Sequence, residues 1–328
     1  MSATDHLNGL CLALTEGRPV VLLLGQDAWR SGTHADPALA MAFKRAGRQQ
    51  TTPEFSNLLQ ADPLPEDFYA WLAETYYHQP EPTWMEPISR LPLNAVFTSS
   101  IDPAIARALR INGRDVELVL SKLDNPAAPR NRRNLHLTYL FGRAGEHHSD
   151  EAPPKSTQEL RRRRALQATP LLSRVVETTT SLGVLLVDGL SLAHDWLSTD
   201  ALSGILSAFS PGQVYWFGWS PDESSGDAQL LQDLAAPRGP IVFVRERLSA
   251  SLRSLELAHK IDISSPRQFA SEGFVTIRDR GLEIDPATRL KVSTAASIVE
   301  DAWIATLPVL GSDADYAEFR RFHGQVED

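Results

Sequence analysis

Short, continuous apolar runs recur along the chain and alternate with segments of helical periodicity up to about residue 260. The clearest run, residues 19–24, reads Pro-Val-Val-Leu-Leu-Leu and ends at Gly25. A strand covered on both faces is apolar at every position, so this run predicts a buried parallel strand that enters a turn. Further strand candidates lie at 94–98, 116–120, 135–141, 183–187, 213–217 and 241–244. Strands that alternate with helices in this way predict an α/β fold with a doubly wound parallel sheet and right-handed crossovers.

Helix signals fill the intervals between these runs. Residues 53–90 carry aromatic and apolar residues at roughly helical spacing, broken by prolines, and predict a helical insertion at about 50–90. Asp102 is the expected N-cap of a helix with Pro103 at its first position, and Ser156 opens a capping box. Further helices are predicted at 6–16, 170–180, 191–209, 230–235 and from 245 to about 257, and a surface loop at 142–156.

The pattern changes from about residue 264 onward. A short β-like stretch is followed by a helical segment at 294–307 and a polar ending that supplies no closing element for the sheet. We therefore predict one α/β domain over 1–262 and a C-terminal appendage over 263–328, which is a linker or the start of another module.

Charge and cysteine content narrow the function classes. A formal net charge of -9 works against a nucleic-acid-binding protein, because phosphate binding needs a net or clustered positive field. The single cysteine, Cys11, excludes an internal disulfide framework and a four-cysteine zinc site, and indicates a cytoplasmic location. No signal peptide is recognised and the apolar runs are too short to span a bilayer, so no membrane association is expected.

Four short segments, each directly after a predicted strand, carry the candidate chemistry. They are residues 25–27, 98–102, 140–142 and 187–195. Their order, and the strand before each, resemble the sirtuin-like families found in prokaryotic defence proteins over about residues 15–260. The resemblance implies a Rossmann-like fold with an NAD site, in an anti-phage setting.

The first segment departs from the family in its glycine turn. A Gly-Ala-Gly turn lets the backbone approach the NAD pyrophosphate in that family, whereas this chain reads Gly25-Gln26-Asp27. Asp27 would place a negative charge beside the diphosphate, at a cost on the order of 1 kcal/mol in water and several when shielded from it. The resemblance makes these three residues cofactor-facing positions and predicts weak NAD binding in the usual pose.

The second segment is similar to the family's Thr-Thr-Asn-Tyr-Asp. The asparagine that orients the ribose and the attacking water becomes Ser100, which has a shorter reach and lacks the paired donor and acceptor of an amide. Asp102 matches the family's aspartate, although its role as a helix N-cap already explains it.

The third segment, Leu140-Phe141-Gly142, is similar to the family's Leu-His-Gly. The general-base histidine is then Phe141, which cannot accept a proton, and losing such a base typically costs about 10²- to 10⁴-fold in rate. A shifted alignment puts His136 at this position, but His136 lies within a predicted strand and no glycine follows it.

The fourth segment resembles the family's Gly-Tyr-Ser-Leu-Ser-Asp, with its aspartate, Asp195, one residue late. Gly189 and Ser191 either shape the turn beside the ligand cleft or form a purely structural turn and helix cap.

These departures predict a catalytically impaired sirtuin-like domain that acts as a structural, oligomerising or nucleotide-sensing module. No cofactor is assigned, NAD and ADP-ribose are the candidate ligands, and the expected partners are further copies of the chain, a further module or another protein. One alternative is a divergent NAD glycohydrolase or nucleotide hydrolase that uses Ser100, Asp102, His136 or Asp27. Another is a protein-binding adaptor without a ligand.

Three remaining clusters keep two interpretations each. His147 and His148 lie in a polar loop with acidic neighbours, but adjacent histidines point apart, so a solvated loop is expected and no metal site is predicted. The arginine run at 161–164 is either an exposed helix or a surface that meets an acidic partner or nucleic acid. The aromatic cluster at 216–219 belongs either to the core or an interface, or to a ligand-stacking surface.

Overall fold

The structure is a computed structural model. It describes residues 7, 9–11, 13–14, 18–29, 37–47, 55–59, 64–79, 83–124, 126, 134–148, 150–179, 183–190, 195–218 and 241–259. Ser191, Trp219, the predicted helix at 230–235 and the predicted C-terminal appendage lie outside the described residues.

Seven parallel strands form one sheet, with every neighbouring pair parallel. They are β1 (Val20–Leu24), β2 (Leu93–Thr98), β3 (Asp115–Val119), β4 (Asn134–Tyr139), β5 (Val184–Asp188), β6 (Val214–Phe217) and β7 (Ile241–Val244). Their order across the sheet is β3-β4-β2-β1-β5-β6-β7. The predicted doubly wound parallel sheet is confirmed, and each strand ends within two residues of its predicted bounds.

Helices flank the sheet. They are α1 (Pro37–Arg45), α2 (Phe55–Leu58), α3 (Phe68–Tyr77), α4 (Met85–Ser89), α5 (Ala104–Ile111), α6 (Thr157–Arg163), α7 (Thr169–Thr179), α8 (Thr199–Leu206) and α9 (Leu248–His259). Helices α2, α3 and α4 lie within the predicted insertion. Among the described residues, no helix combines the length and apolar composition needed to cross a bilayer.

Helix α7 begins at Thr169, one residue before its predicted start, and a π-helical segment, Arg164–Ala168, joins it directly to α6. The predicted start of α8 was wrong. Helix α8 begins at Thr199 and not at residue 191, since the side chain of Ser198 accepts a hydrogen bond from the backbone N–H of Ala201 and caps the helix there.

The alternation of side chains along β1 divides the core into two layers. Val21 and Leu23 pack on one face of the sheet, against residues from α1, α2, α3, α6, α7 and α8. Val20, Leu22 and Leu24 pack on the other, against residues from α4, α5, α9 and the helical residues that precede β1. Since both faces are covered, every residue of β1 is buried, as its unbroken apolar run predicts.

The strand order places a topological switch point at the centre of the sheet. β1 pairs with β2 on one side and with β5 on the other. Ligands of open α/β sheets bind outside the carboxyl ends of the strands at such a point. The four segments singled out in the sequence follow β1, β2, β4 and β5, so they all lie at this edge of the sheet.

Candidate functional site

The turn after β1 (residues 25–29, the β1 turn) packs directly against the turn after β5 (residues 189–190, the β5 turn). A Cβ added to Gly25 would lie 2.1 Å from the carbonyl oxygen of Gly189. Gly189 has φ +67, and a Cβ there would lie 2.3 Å from the backbone nitrogen of Ala28. Only glycine allows this approach, so contact between the two backbones explains both glycines without a ligand.

The backbone N–H groups of residues 25–28 in the β1 turn have acceptors within the protein. Gln26 donates to Oδ2 of Asp195 at 3.0 Å. Asp27 donates to the carbonyl of Gly189 at 2.9 Å, and Ala28 donates to the carbonyl of Gly25 at 3.2 Å. In Rossmann-type sites, N–H groups at this position hold the phosphates of the cofactor. Here the carboxylate of Asp195 accepts the first of them.

Asp195 is buried and joins three of the four segments. Its Oδ2 also accepts the hydroxyl of Ser99 at 2.7 Å, and its Oδ1 accepts the N–H of Leu197 at 2.9 Å. The pKa of Asp195 is raised to about 6, because burial and, to a smaller extent, the charge of Asp27 raise it more than the three donors lower it. The group is therefore mainly ionised at neutral pH and supplies a buried negative charge.

The side chain of Gln26 is buried in the same network. Its Nε2 donates to the carbonyl of Ser99 at 3.4 Å, while its Oε1 has no donor among the described residues. A buried acceptor without a donor costs on the order of 1–3 kcal/mol. Gln26 is thus anchored through its backbone N–H, with its side-chain amide only partly satisfied.

Ser100 and Asp102 shape the connection between β2 and α5. The Oγ of Ser100 accepts the N–H of Asp102 at 3.3 Å, and the N–H of Ser100 is donated to Oγ1 of Thr98 at 3.0 Å. Oδ1 of Asp102 accepts the N–H of Ala104 at 2.7 Å. The predicted capping contact of Asp102 is therefore present, although α5 begins at Ala104, one residue later than predicted.

Tyr139, the last residue of β4, supports this connection from the neighbouring strand. Its hydroxyl donates to the carbonyl of Asp102 at 2.8 Å. Burial and the charge of Asp102 raise the pKa of Tyr139, so its hydroxyl keeps the proton that it donates.

Phe141 lies at the same edge as part of an apolar wall. Its ring is fully buried and meets the ring of Trp196 edge-on, with the centroids 5.7 Å apart. Gly142 has φ +85, and a Cβ there would lie 2.3 Å from the carbonyl oxygen of Glu151. The aromatic ring at the predicted position of the base thus packs against the residue that follows Asp195.

The structure does not bring His136 to this edge. It lies within β4 in register with Ala95, three residues before the strand ends at Tyr139. At about 3.3 Å per residue, that is roughly 10 Å from the end of the strand. Its Nε2 lies 3.4 Å from Oε2 of Glu117 on β3.

An ion pair at the site was missed in the sequence. Nε of Arg247, which follows β7, lies 2.8 Å from Oδ1 of Asp188, the last residue of β5. Arg247 also donates to the carbonyl oxygens of Asp27 and Ala28, at 3.2 Å each. Burial raises the pKa of Asp188, and the guanidinium opposes that rise. The only signal in the sequence was an aspartate at the end of an otherwise apolar strand.

Gly218 leaves space for the side chain of Arg247 as it extends toward Asp188. It follows β6 with φ +74, and a Cβ there would lie 2.7 Å from Cδ of Arg247. The arginine therefore passes from the edge strand β7 over the end of β6 to the turns at the centre of the sheet.

The arginine run is divided by the fold. Arg161 and Arg162 are exposed, whereas Arg163 is buried and donates to the carbonyl of Asp150 at 2.7 Å. Nε of Arg164 donates to the carbonyl of Trp196 at 2.6 Å. Two arginines of the run are thus exposed to solvent, and the other two donate hydrogen bonds to backbone carbonyl oxygens of the domain.

The structure also shows the first two residues of the aromatic cluster at 216–219 and the histidine pair at 147–148. Trp216 and Phe217 are buried in the core, with the ring of Trp216 packed 6.2 Å from that of Phe243. His147 and His148 are exposed. In the described part of the chain, no group of three or more His, Cys, Asp or Glu side chains is arranged to hold a metal ion.

Comparison with known proteins identifies no relative: no protein-family model matches the chain, and no curated protein matches it.

Proposed function

We propose that this chain is a catalytically impaired sirtuin-like domain with a structural or oligomerising role. The resemblance of the four segments implies the sirtuin-like family and a setting in anti-phage defence. The main support for a loss of activity is that the backbone N–H groups of residues 26–28 in the β1 turn already donate to acceptors within the protein.

Residues 26–28 of the β1 turn offer no unused N–H for a diphosphate. The backbone N–H of Gln26 donates to the carboxylate of Asp195. The N–H groups of Asp27 and Ala28 donate to the carbonyl oxygens of Gly189 and Gly25. A diphosphate in the usual pose would have to displace a buried carboxylate, and it would then lie beside the charges of Asp195 and Asp27. Like charges this close repel by several kcal/mol when shielded from water.

The positions expected to perform the chemistry also have other roles. Phe141 offers no lone pair, and its ring packs against Trp196. The Ser100 hydroxyl accepts a backbone N–H, and the Asp102 carboxylate caps α5. Hydrolysis of NAD needs a group that positions water and a group that takes a proton. These side chains support the proposal because their contacts hold turns together instead.

Nicotinamide release from NAD tests the loss of activity. We expect the purified full chain to release no more nicotinamide than buffer, beside an active sirtuin-like NADase as the positive control. Sustained turnover that Ser100→Ala or His136→Ala abolishes, in variants that keep the native melting temperature, would overturn the proposal in favour of a divergent hydrolase.

Thermal denaturation with ligands separates a structural role from nucleotide sensing. A ligand that binds only the folded state raises the melting temperature, by an amount set by its concentration relative to Kd. We expect no shift with NAD or ADP-ribose. A saturable shift that Asp195→Ala enhances would show that a nucleotide competes with Asp195 and would make the domain a sensor.

Light scattering on the full chain tests the oligomerising role. We expect a mass that is a multiple of 36.2 kDa. A strictly monomeric chain would remove this part of the proposal and favour the adaptor alternative.

A further inference from the structure

A cleft of about 220 Å³ opens beyond the carboxyl end of β3, at the far edge of the sheet from β7. The turn at residues 121–124 forms one wall. Helix α6 and the π segment form the other. No residue of this cleft belongs to the β1 turn or to the network of Asp195.

The floor of the cleft is a fixed hydrogen-bonded unit. Nε2 of Gln167 donates to the carbonyl of Leu120 at 2.8 Å, and Oε1 of Gln167 accepts Nη1 of Arg163 at 2.9 Å. Arg163 is buried and also binds the carbonyl of Asp150. Gln167 belongs to the π segment, a form of helix that often occurs at functional sites.

The outer wall is held in place from α7. Arg174 donates to the carbonyl of Asp124 at 3.0 Å and to the carbonyl of Lys122 at 2.8 Å. Between these two anchors the side chain of Leu123 is 80% exposed, and on the opposite wall Leu166 is 51% exposed. Both line the cleft, so a fixed polar floor lies between two apolar side chains that solvent reaches.

Two cations at the cleft remain available. Lys122 and Arg162 line it, are exposed, and have no side-chain partner among the described residues. Of the two acidic groups in the lining, Glu159 accepts the N–H of Lys155 at 2.9 Å and lies 3.8 Å from Nη2 of Arg163. Asp150 is exposed. With Arg163, the lining carries three cations against two carboxylates, in a chain of net charge -9.

We infer that this cleft binds a small organic anion with an apolar body, held at its charged group by Lys122 and Arg162. The body packs between Leu123 and Leu166. With a volume of about 220 Å³, the cleft is smaller than the pockets that hold drug-sized ligands. Pockets for drug-sized ligands span about 300–1,000 Å³, so a dinucleotide is too large and a simple aryl phosphate or aryl carboxylate fits.

Isothermal titration of the full chain tests this site with three probes. Phenyl phosphate and phenylacetate carry the two anionic groups on the same apolar ring, and inorganic phosphate lacks the ring. We expect at least one aromatic anion to bind more tightly than inorganic phosphate, and the better of the two identifies the anionic group.

Matched variants assign the contacts. A charged hydrogen bond is strong enough that Lys122→Ala and Arg162→Ala should each weaken binding roughly tenfold. Arg161→Ala removes a neighbouring exposed charge that does not line the cleft and should leave binding unchanged. Melting curves of all three variants check that the fold is kept.

Several outcomes would overturn the inference. One is that neither aromatic anion shows saturable binding. Another is that inorganic phosphate binds as tightly as the aromatic anions. A third is that Arg161→Ala weakens binding as much as Arg162→Ala does. The last would indicate diffuse attraction to the helix surface instead of a site.

Discussion

The carboxylate of Asp195 accepts the backbone N–H of Gln26 at 3.0 Å, although 169 residues separate the two along the chain. This contact lies at the switch point of the sheet. Because Ser99 shares the same carboxylate oxygen, one side chain connects the turns that follow β1, β2 and β5. The three turns are therefore held together by one buried carboxylate.

The first prediction concerns pH. Asp195 has a pKa of about 6 in the folded state against 3.8 ordinarily, so the folded state binds the proton more tightly. Stability from this group is fully present below about pH 4 and is lost as the pH rises through about 6. The loss is about 3 kcal/mol, at about 1.4 kcal/mol per unit. Chemical denaturation at several pH values measures it as the difference between the native chain and Asp195→Asn.

Ser99→Ala provides the contrasting variant. The hydroxyl of Ser99 lowers the pKa of Asp195, so its removal should extend the loss of stability to higher pH. A difference between the native chain and Asp195→Asn that stays constant from pH 4 to 7 would contradict this account of the buried carboxylate.

The second prediction concerns the ion pair of Arg247. Arg247→Ala leaves Asp188 buried without its cation and should lower the free energy of unfolding by about 3–5 kcal/mol. Arg245→Ala removes an exposed charge on the same segment and should change it by less than about 0.5 kcal/mol. Urea denaturation measures both.

A double variant distinguishes charge from packing. Asp188→Asn added to Arg247→Ala should recover part of the loss, because the buried group is then neutral. No recovery would mean that the arginine stabilises the domain mainly through the carbonyl oxygens of Asp27 and Ala28.

The third prediction concerns the paired glycines. Gly25→Ala or Gly189→Ala forces the β1 and β5 turns apart and should cost at least about 3 kcal/mol. Both substitutions break the same contact, so the double variant should cost less than their sum. Gly204→Ala in α8 meets nothing within 4 Å and should stabilise the domain by about 0.5–1 kcal/mol. Melting temperatures rank the four variants, and strictly additive losses would argue against a shared contact.

The fourth prediction concerns position 141, where the resemblance to the sirtuin-like family implies a histidine. Phe141→His replaces a fully buried ring with a polar one and should cost about 2–4 kcal/mol. We expect no nicotinamide release from NAD, because the β1 turn remains bound to Asp195. Phe141→Leu is the apolar control for stability. Turnover by the histidine variant would contradict the proposal that Asp195 keeps a diphosphate from the β1 turn.

The sheet was predictable because its signals are local. The central strands β1 and β5 are mainly apolar runs of a few residues, β3 and β4 alternate apolar with polar residues, and the alternation of strands with helices leads to parallel pairing. Helix starts were harder. The apolar periodicity before α8 continues through residues that are not helical, and only the cap of Ser198 shows where the helix begins.

The contacts at the candidate site could not be predicted in the same way. Asp195 was visible in the sequence as a displaced aspartate, but its donors come from turns far away along the chain. Arg247 contacts Asp188 across 59 residues and has no periodic or motif signal of its own. Such pairings follow from the register of the sheet, which a single sequence does not encode locally.

The long reach of Arg247 has a consequence for how the domain opens. Outer strands of a sheet usually fray first, since few contacts hold them. Here, separation of β7 from β6 would also remove Arg247 from Asp188. The carboxylate of Asp188 would then be buried without a cation beside it. We therefore expect β7 and the centre of the sheet to loosen together as one cooperative unit.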